Sequence, residues 1–212
     1  MNAAAAWRVD QTKILTRTEI TTVIEDLKRR GRRSVNSRMN LIIFRLATCC
    51  GLRASELCEL HLGDVRVNVA RPYVNIRATV AKGGRARRVP LWWDRSTLDD
   101  LSAWKAERLA QGAKAGSPFV CGQSSAALGH RLTRQSARNR FKVGCRALGE
   151  ERCHDLTIHD GRHSFVSHSL AGGRTLAEVR DAAGHANIAT TSVYTHTAVD
   201  DDGEVGDLFG FS

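Results

Sequence analysis

No Cys-x-x-Cys pair occurs in this chain, no apolar run is long enough to span a membrane, and no segment repeats or falls into low complexity. The missing pairs remove the common zinc and dithiol signatures. The missing run removes a transmembrane helix, so no membrane partner is expected. The six cysteines, Cys49, Cys50, Cys58, Cys121, Cys145 and Cys153, read as reduced and mostly buried thiols. The opening "MNAAAAWRVD" lacks the apolar centre of an export signal, so the expected location is the cytoplasm. Acidic residues are in the minority, 22 against 32 Lys and Arg, which leaves a net charge of +10. That excess points to a polyanion, nucleic acid before an acidic membrane surface. With 42% hydrophobic residues in 212, the chain can build a core, and wholesale disorder is excluded.

The positive charge is clustered. Lys28, Arg29, Arg30, Arg32, Arg33 and Arg38 form one group, and Arg77, Lys82, Arg85, Arg87 and Arg88 a second. Arg131, Arg134, Arg138, Arg140, Lys142 and Arg146 form a third, whereas the end is acidic, with Asp200, Asp201, Asp202, Glu204 and Asp207. A basic body with an acidic end suits nucleic acid on one side and a self or partner contact on the other.

Thr16 and Glu19 make a capping-box pattern ahead of "ITTVIEDLKRRG", a helix that Gly31 stops. "SRMNLIIFRLATCCG" follows, strongly apolar, with Gly51 at the place of a left-handed helix end, and "RASELCELHLGDV" is a further short helix. "VRVNV", "YVNIRATV" and "ARRVPL" are β-branched and roughly alternating, the last two joined through "KGG". Helical sequence resumes with "RSTLDDLSAWKAERLAQG", "LTRQSARNRFKVGCRALG", "IHDGRHSFVSHSLAGG", "TLAEVRDAAG" and "NIATTSVYTHT", the last with Asn187 as N-cap. The expected fold is mainly α with a small antiparallel three-stranded β-sheet, an α+β single domain. Trp92 and Trp93 read as packing residues at a strand end.

The stretch "HDLTIHDGRHSFVSH" holds four histidines around one arginine. His159 and His163, at i and i+4, share a helix face, as do the two histidines of a zinc-protease helix. That chemistry needs a glutamate beside the first histidine; here the neighbour is Asp160, and the cationic Arg162 stands one residue before His163. No metal is expected. His159 and Arg162, three apart, project together and suit a tetrahedral anion, because an arginine fork binds phosphate and keeps its charge. A phosphodiester handled without metal needs further cations.

Four segments in order, "CCGLRASELCEL", "AKGGRARRVPL", "IHDGRHSF" and "AAGHANIATTSVYTH", resemble the catalytic domain of the tyrosine recombinase (phage integrase) family, which cuts and rejoins DNA. The resemblance runs from about Leu15 to His196. It implies that Arg53 is the first arginine of a phosphate pocket, supported by Glu56. It implies that Lys82 is the turn lysine that protonates the leaving 5′ oxygen, and that His159 and Arg162 are the H-x-x-R pair. His185 matches a later phosphate or proton contact, and Tyr194 the nucleophile that forms a 3′-phosphotyrosyl ester. Chemistry agrees, since a phenol of pKa roughly 10 attacks phosphorus poorly unless assisted. No cofactor is implied.

Lys82, Arg85, Arg87, Arg88, Arg134 and Arg138 are the expected DNA contacts. The expected partner is double-stranded DNA, which places the protein on the nucleoid. Residues 1–14 are read as an extension, 15–198 as the catalytic domain, and 199–212 as an acidic tail. The separate N-terminal core-binding domain common in the family is not expected in this chain. "DLFGF" in the tail suits docking onto a neighbouring protomer in a tetramer, the isolated domain being a monomer. A type IB topoisomerase and a non-catalytic DNA-binding module are the alternatives. Gly161 stands where the family usually has an apolar residue and is expected to cost the helix start about 1 kcal/mol.

Overall fold

The computed structural model describes residues 10–194; residues 1–9 and the acidic tail with its expected docking segment lie outside the described residues. Helix α1 (Arg17–Gly31) starts at Thr16, whose hydroxyl accepts from Glu19 N, while the Glu19 carboxylate accepts from Thr16 N. Ile20, Val23, Ile24 and Leu27 recur at helical spacing on its buried face. Helix α2 (Val35–Thr48) is buried nearly all round, as a central helix must be, with Arg45 and Asn40 among its buried residues. Phe44, Leu46, Ile43 and Met39 are fully buried in it, and α1 packs against it.

Helix α3 (Ala54–Cys58) follows the Gly51 turn. Strands β1 (Val65–Arg66), β2 (Tyr73–Ile76) and β3 (Arg87–Pro90) form the antiparallel sheet in the order β1-β2-β3. Val74 pairs with Val65 on one side and Val89 on the other. The strands are shorter than their sequence patterns suggest. Arg77 leaves the ladder to donate to Asp64 and the Glu59 carbonyl, and Val80 and Ala81 turn back to bond the Arg77 carbonyl. Residues 77–86 therefore form a long connection, not a tight turn, with Lys82 exposed near its end.

Helix α4 (Arg95–Ala110) is tied to α2 by Arg45, which is buried and bonded to Asp94, Thr97 and Asp100. Helix α5 (Arg134–Cys145) and a short α6 (Glu150–Asp155) precede α7 (Ile158–Ala171). The sequence pattern did not reveal α6, because six residues show no apolar periodicity. Helix α8 (Leu176–Ala183) packs on β3, and α9 (Ala189–Ser192) is a single turn that begins where Asn187 accepts from Ala189 N. All six cysteines are buried and free.

Helices α5 and α7 also pack on α2. A Cβ at Gly161 would stand 2.8 Å from Thr48 Oγ1 and 3.2 Å from both Ala47 Cβ and Phe141 Cε2. The glycine expected to loosen α7 is thus what lets three helices meet. The helix start is secured by Thr157, which donates from its backbone N and its hydroxyl to Asp160 Oδ2, each at 2.7 Å. Leu15 N donates to Ser164 Oγ, and Arg152 donates to the carbonyls of Thr12 and Ile14 and to Glu19, so residues 12–15 are pinned to the body. Among the described residues no helix is long and apolar enough to cross a membrane.

Candidate active site

The site forms where α3, β3, α7 and the turn after α8 converge. Arg53 caps α3 from outside: its backbone N donates to Glu56 Oε2 at 2.9 Å and its Nη1 to Oε1 at 3.0 Å. Glu56 is 1% exposed. Arg87 reaches it from β3 as a two-point fork, Nη1 to Oε1 and Nη2 to Oε2, both 2.8 Å, while its Nε donates to the Ala182 carbonyl. Burial alone would raise the Glu56 pKa; the Arg87 fork and Arg53 outweigh it and hold the carboxyl below its ordinary range.

Arg87, one of the expected DNA contacts, lines the cleft beside the site, but its side chain is largely buried and its fork is engaged by Glu56. The strand alternation turns it inward, whereas Arg88 is exposed, with its guanidinium 4.6 Å from the Tyr73 ring centroid.

Arg162 is 3% exposed and donates from Nη1 to the Gly51 carbonyl and from Nη2 to the Ala183 carbonyl. Gly51 takes φ +63°, and its carbonyl faces Arg162. Gly184 takes φ +67° and ends α8, so that Arg87 and Arg162 satisfy two carbonyls of that helix end. Carbonyls orient a guanidinium without neutralising it. Burial, then Arg53 and Arg87, pull its pKa down to about 9, so at neutral pH it stays charged. Of its five N–H donors two are engaged here, which leaves donors for an anion.

His159 and His163 stand one turn apart on α7, their ring centroids 4.7 Å apart and nearly perpendicular. His185 turns Nδ1 to the Thr191 hydroxyl at 2.9 Å. Burial and then His159 push His163 down to about 4; burial and then Arg162 push His185 down to about 3. His159 is lowered by burial, then by Arg162, and Lys82 is near enough for its charge to be felt there. All three imidazoles are thus neutral at pH 7. Tyr194 is 5% exposed, its hydroxyl in hydrogen-bond contact with His163 Nδ1, and burial raises its phenol to about 12.

The fold thus brings Arg53, Glu56, His159, Arg162, His185 and Tyr194 together, with Lys82 at the rim. A cleft of about 550 Å³ beside them is lined by Lys82, Arg85, Arg88, Arg180, Asp181 and His185. Arg134 and Arg138 are exposed on α5, near Cys58 of α3 and not among the lining residues. His163 is the site residue that sequence reasoning did not select; its i+4 spacing from His159 was the available signal. His154 is exposed, and His168 is buried against the Leu15 carbonyl, so neither joins the site. Trp93 stacks on Phe165 behind α7, while Trp92 is largely exposed. Among the described residues, no three His, Cys, Asp or Glu side chains converge as metal ligands.

The model of the phage integrase family matches residues 13–200. The chain is 35% identical over 161 residues to the tyrosine recombinase XerC of Pseudomonas putida, covering 76% of this chain and 48% of that one. It is 32% identical over 160 residues to XerC of Mycobacterium tuberculosis, covering 74% and 49%. The chain spans about half the length of the curated relatives it matches. Its fold is similar to the crystal structure of XerA recombinase (TM-score 0.68, 22% identity, 90% of this chain and 61% of that one). It is similar also to XerH bound to palindromic difH substrate after cleavage (0.68, 23%, 88% and 50%) and to a lambda integrase dimer on a core site (0.62, 19%, 92% and 63%). With the family's model matched from the first 3-10 turn past the buried tyrosine, this chain belongs to the phage integrase family.

Proposed function

We propose that this chain is the catalytic unit of a site-specific DNA recombinase, in which Tyr194 attacks a phosphodiester, forms a 3′-phosphotyrosyl ester and releases a 5′-hydroxyl. The observation that carries the reading is a buried tyrosine whose hydroxyl meets an imidazole in a pocket that also holds the carbonyl-bound Arg162. Arg53 and Arg162 meet the charge that develops on the non-bridging oxygens, each worth roughly a hundredfold or more in rate. His159 and His185 donate to the same oxygens or position them. Glu56 aims Arg53, and Lys82, on its exposed loop, delivers a proton to the departing 5′ oxygen.

The partner is double-stranded DNA, held by the basic cleft edge and the exposed face of α5. Relatives of this fold solved on DNA, one of them as a dimer, support that partner and an assembly of several protomers; in our reading the assembly is a tetramer in which the tail docks between neighbours. The reaction takes place on the nucleoid and needs no metal ion, since arginines supply the opposing charge.

Covalent trapping tests this. Duplexes tiled over the DNA flanking the gene, nicked beside each candidate scissile phosphate, are incubated with wild type and Tyr194→Phe in EDTA. A protein–DNA band resistant to denaturant, present only with wild type, is the expected result. A band that also forms with Tyr194→Phe, or that EDTA removes, overturns it. Relaxation of supercoiled DNA without strand exchange would assign the same pocket to a topoisomerase.

A further inference from the structure

We infer that His163 is the group that takes the Tyr194 phenol proton during attack and returns it on rejoining. This rests on the proposal that Tyr194 is the nucleophile. The imidazole Nδ1 faces the tyrosine oxygen directly, and the two rings are near-parallel, with centroids 5.8 Å apart and an interplanar angle of 28°. Both groups are held by the fold: His163 projects from the middle of α7, and Tyr194 is packed in the core. The other imidazoles are placed differently. His185 spends Nδ1 on Thr191, and the His159 ring stands nearly perpendicular to that of His163, with centroids 4.7 Å apart.

The protonation states fit the direction of transfer. His163 faces His159, Asp160 and Arg162 from its own helix, together with His185 and Tyr194 from the C-terminal turn. Burial, His159 and Arg162 disfavour the imidazolium, and Asp160 favours it, so the ring is neutral and able to accept. Such a ring is a weak base while the pocket is empty. A phosphodiester seated between Arg53 and Arg162 brings a negative charge that offsets those cations and raises the basicity of the ring. The phenol, held protonated by its own burial, gives up its proton only as the new bond forms.

The step balances. The Tyr194 O–H bond breaks and its proton passes to His163 Nδ1 while the Tyr194 O–P bond forms. The P–O5′ bond breaks, and Lys82 protonates the departing oxygen. On rejoining, the 5′-hydroxyl gives its proton back to the Lys82 amine as its oxygen attacks phosphorus, the Tyr194 O–P bond breaks, and the His163 imidazolium returns the proton to the phenolate. The pair then stands as it began.

Two measurements on the full chain decide the matter. The first needs no DNA: imidazole 15N NMR at pH 7, with His163 assigned through His163→Asn. The expected spectrum has an unprotonated Nδ1 whose resonance moves in Tyr194→Phe. A proton on Nδ1, or a resonance that Tyr194→Phe leaves in place, overturns the inference. The second is the trapping assay with His163→Ala and His163→Asn, the latter keeping the side chain's shape near Nδ1 without its basicity. Both are expected to lose about a hundredfold in cleavage rate, with duplex binding within about twofold and roughly tenfold recovery of the alanine variant by added imidazole. Wild-type rates in His163→Asn, or a loss that imidazole leaves untouched, overturn the inference while Tyr194 stands. No covalent band from wild type on bound duplex overturns the nucleophile, and His163's task with it.

Discussion

Glu56 and Arg87 meet as a parallel fork, two N–H···O bonds of 2.8 Å on a carboxylate shut away from water. The same carboxylate aims Arg53, and the same guanidinium closes the end of α8 beside Arg162. One ion pair therefore holds Arg53 directly and braces the helix end that Arg162 bonds.

Removing one partner leaves the other charge buried. Arg87→Ala is expected to cost about 3–5 kcal/mol of folding stability, and Glu56→Gln a comparable amount. Urea midpoints at constant slope measure it, and the double variant should lose less than the sum of the two. Strict additivity would mean that the two side chains act independently.

Gly161 sets two effects against each other. Alanine would gain about 1 kcal/mol in helix propensity, while the methyl pressed onto Thr48 and Phe141 costs about 1–3 kcal/mol. The packing term wins, so Gly161→Ala should lower the melting temperature by about 2–4 °C for each kcal/mol lost. A raised melting temperature would show that α2 and α7 separate cheaply.

The depressed histidines make stability depend on pH with a definite sign. His163 and His185, with folded values of about 4 and about 3, resist a proton that the unfolded chain accepts near 6.5. The unfolded state therefore binds more protons in that window, and stability is full above pH 6.5 and falls as pH drops towards 4 and 3. Unfolding midpoints across the window should fall with acid, less so in a His163→Asn, His185→Gln double variant. Equal slopes for the two proteins would refute the assignment.

Arg162→Lys keeps a charge at the site but loses the planar fork that the Gly51 and Ala183 carbonyls orient. Cleavage should fall by roughly a hundredfold or more with duplex binding retained. Near-normal cleavage would make Arg162 a tie between helices and nothing more.

Duplex binding should weaken steeply with salt. Arg88→Ala, Arg134→Ala and Arg138→Ala should each lower the slope of log affinity against log salt by about one. Arg87→Ala should leave that slope unchanged, because its guanidinium is already committed to Glu56. A flat salt response from wild type would remove these faces as DNA surface.

Much of this was legible in the chain. The capping box at Thr16 and Glu19, the strongly apolar stretch of α2 and the β-branched strands were written in local pattern, because spacing and capping chemistry act over a few residues. Gly51 marked a turn whose positive φ favours glycine. The four ordered motifs named the family and most of the residues that converge.

Tertiary structure alone decided the rest. Which of two adjacent arginines turns inward depends on strand phase and on a carboxylate thirty-one residues away, so Arg87 and Arg88 were indistinguishable in the chain. Gly161 looked like a weak point until α2 and α5 closed on it. His163 looked like half of a metal pair until the chain returned, thirty-one residues later, to lay Tyr194 against it. Local sequence determined the elements and the chemical types present; contacts between distant segments, set by packing, decided which groups are buried, which are paired and which proton each can hold.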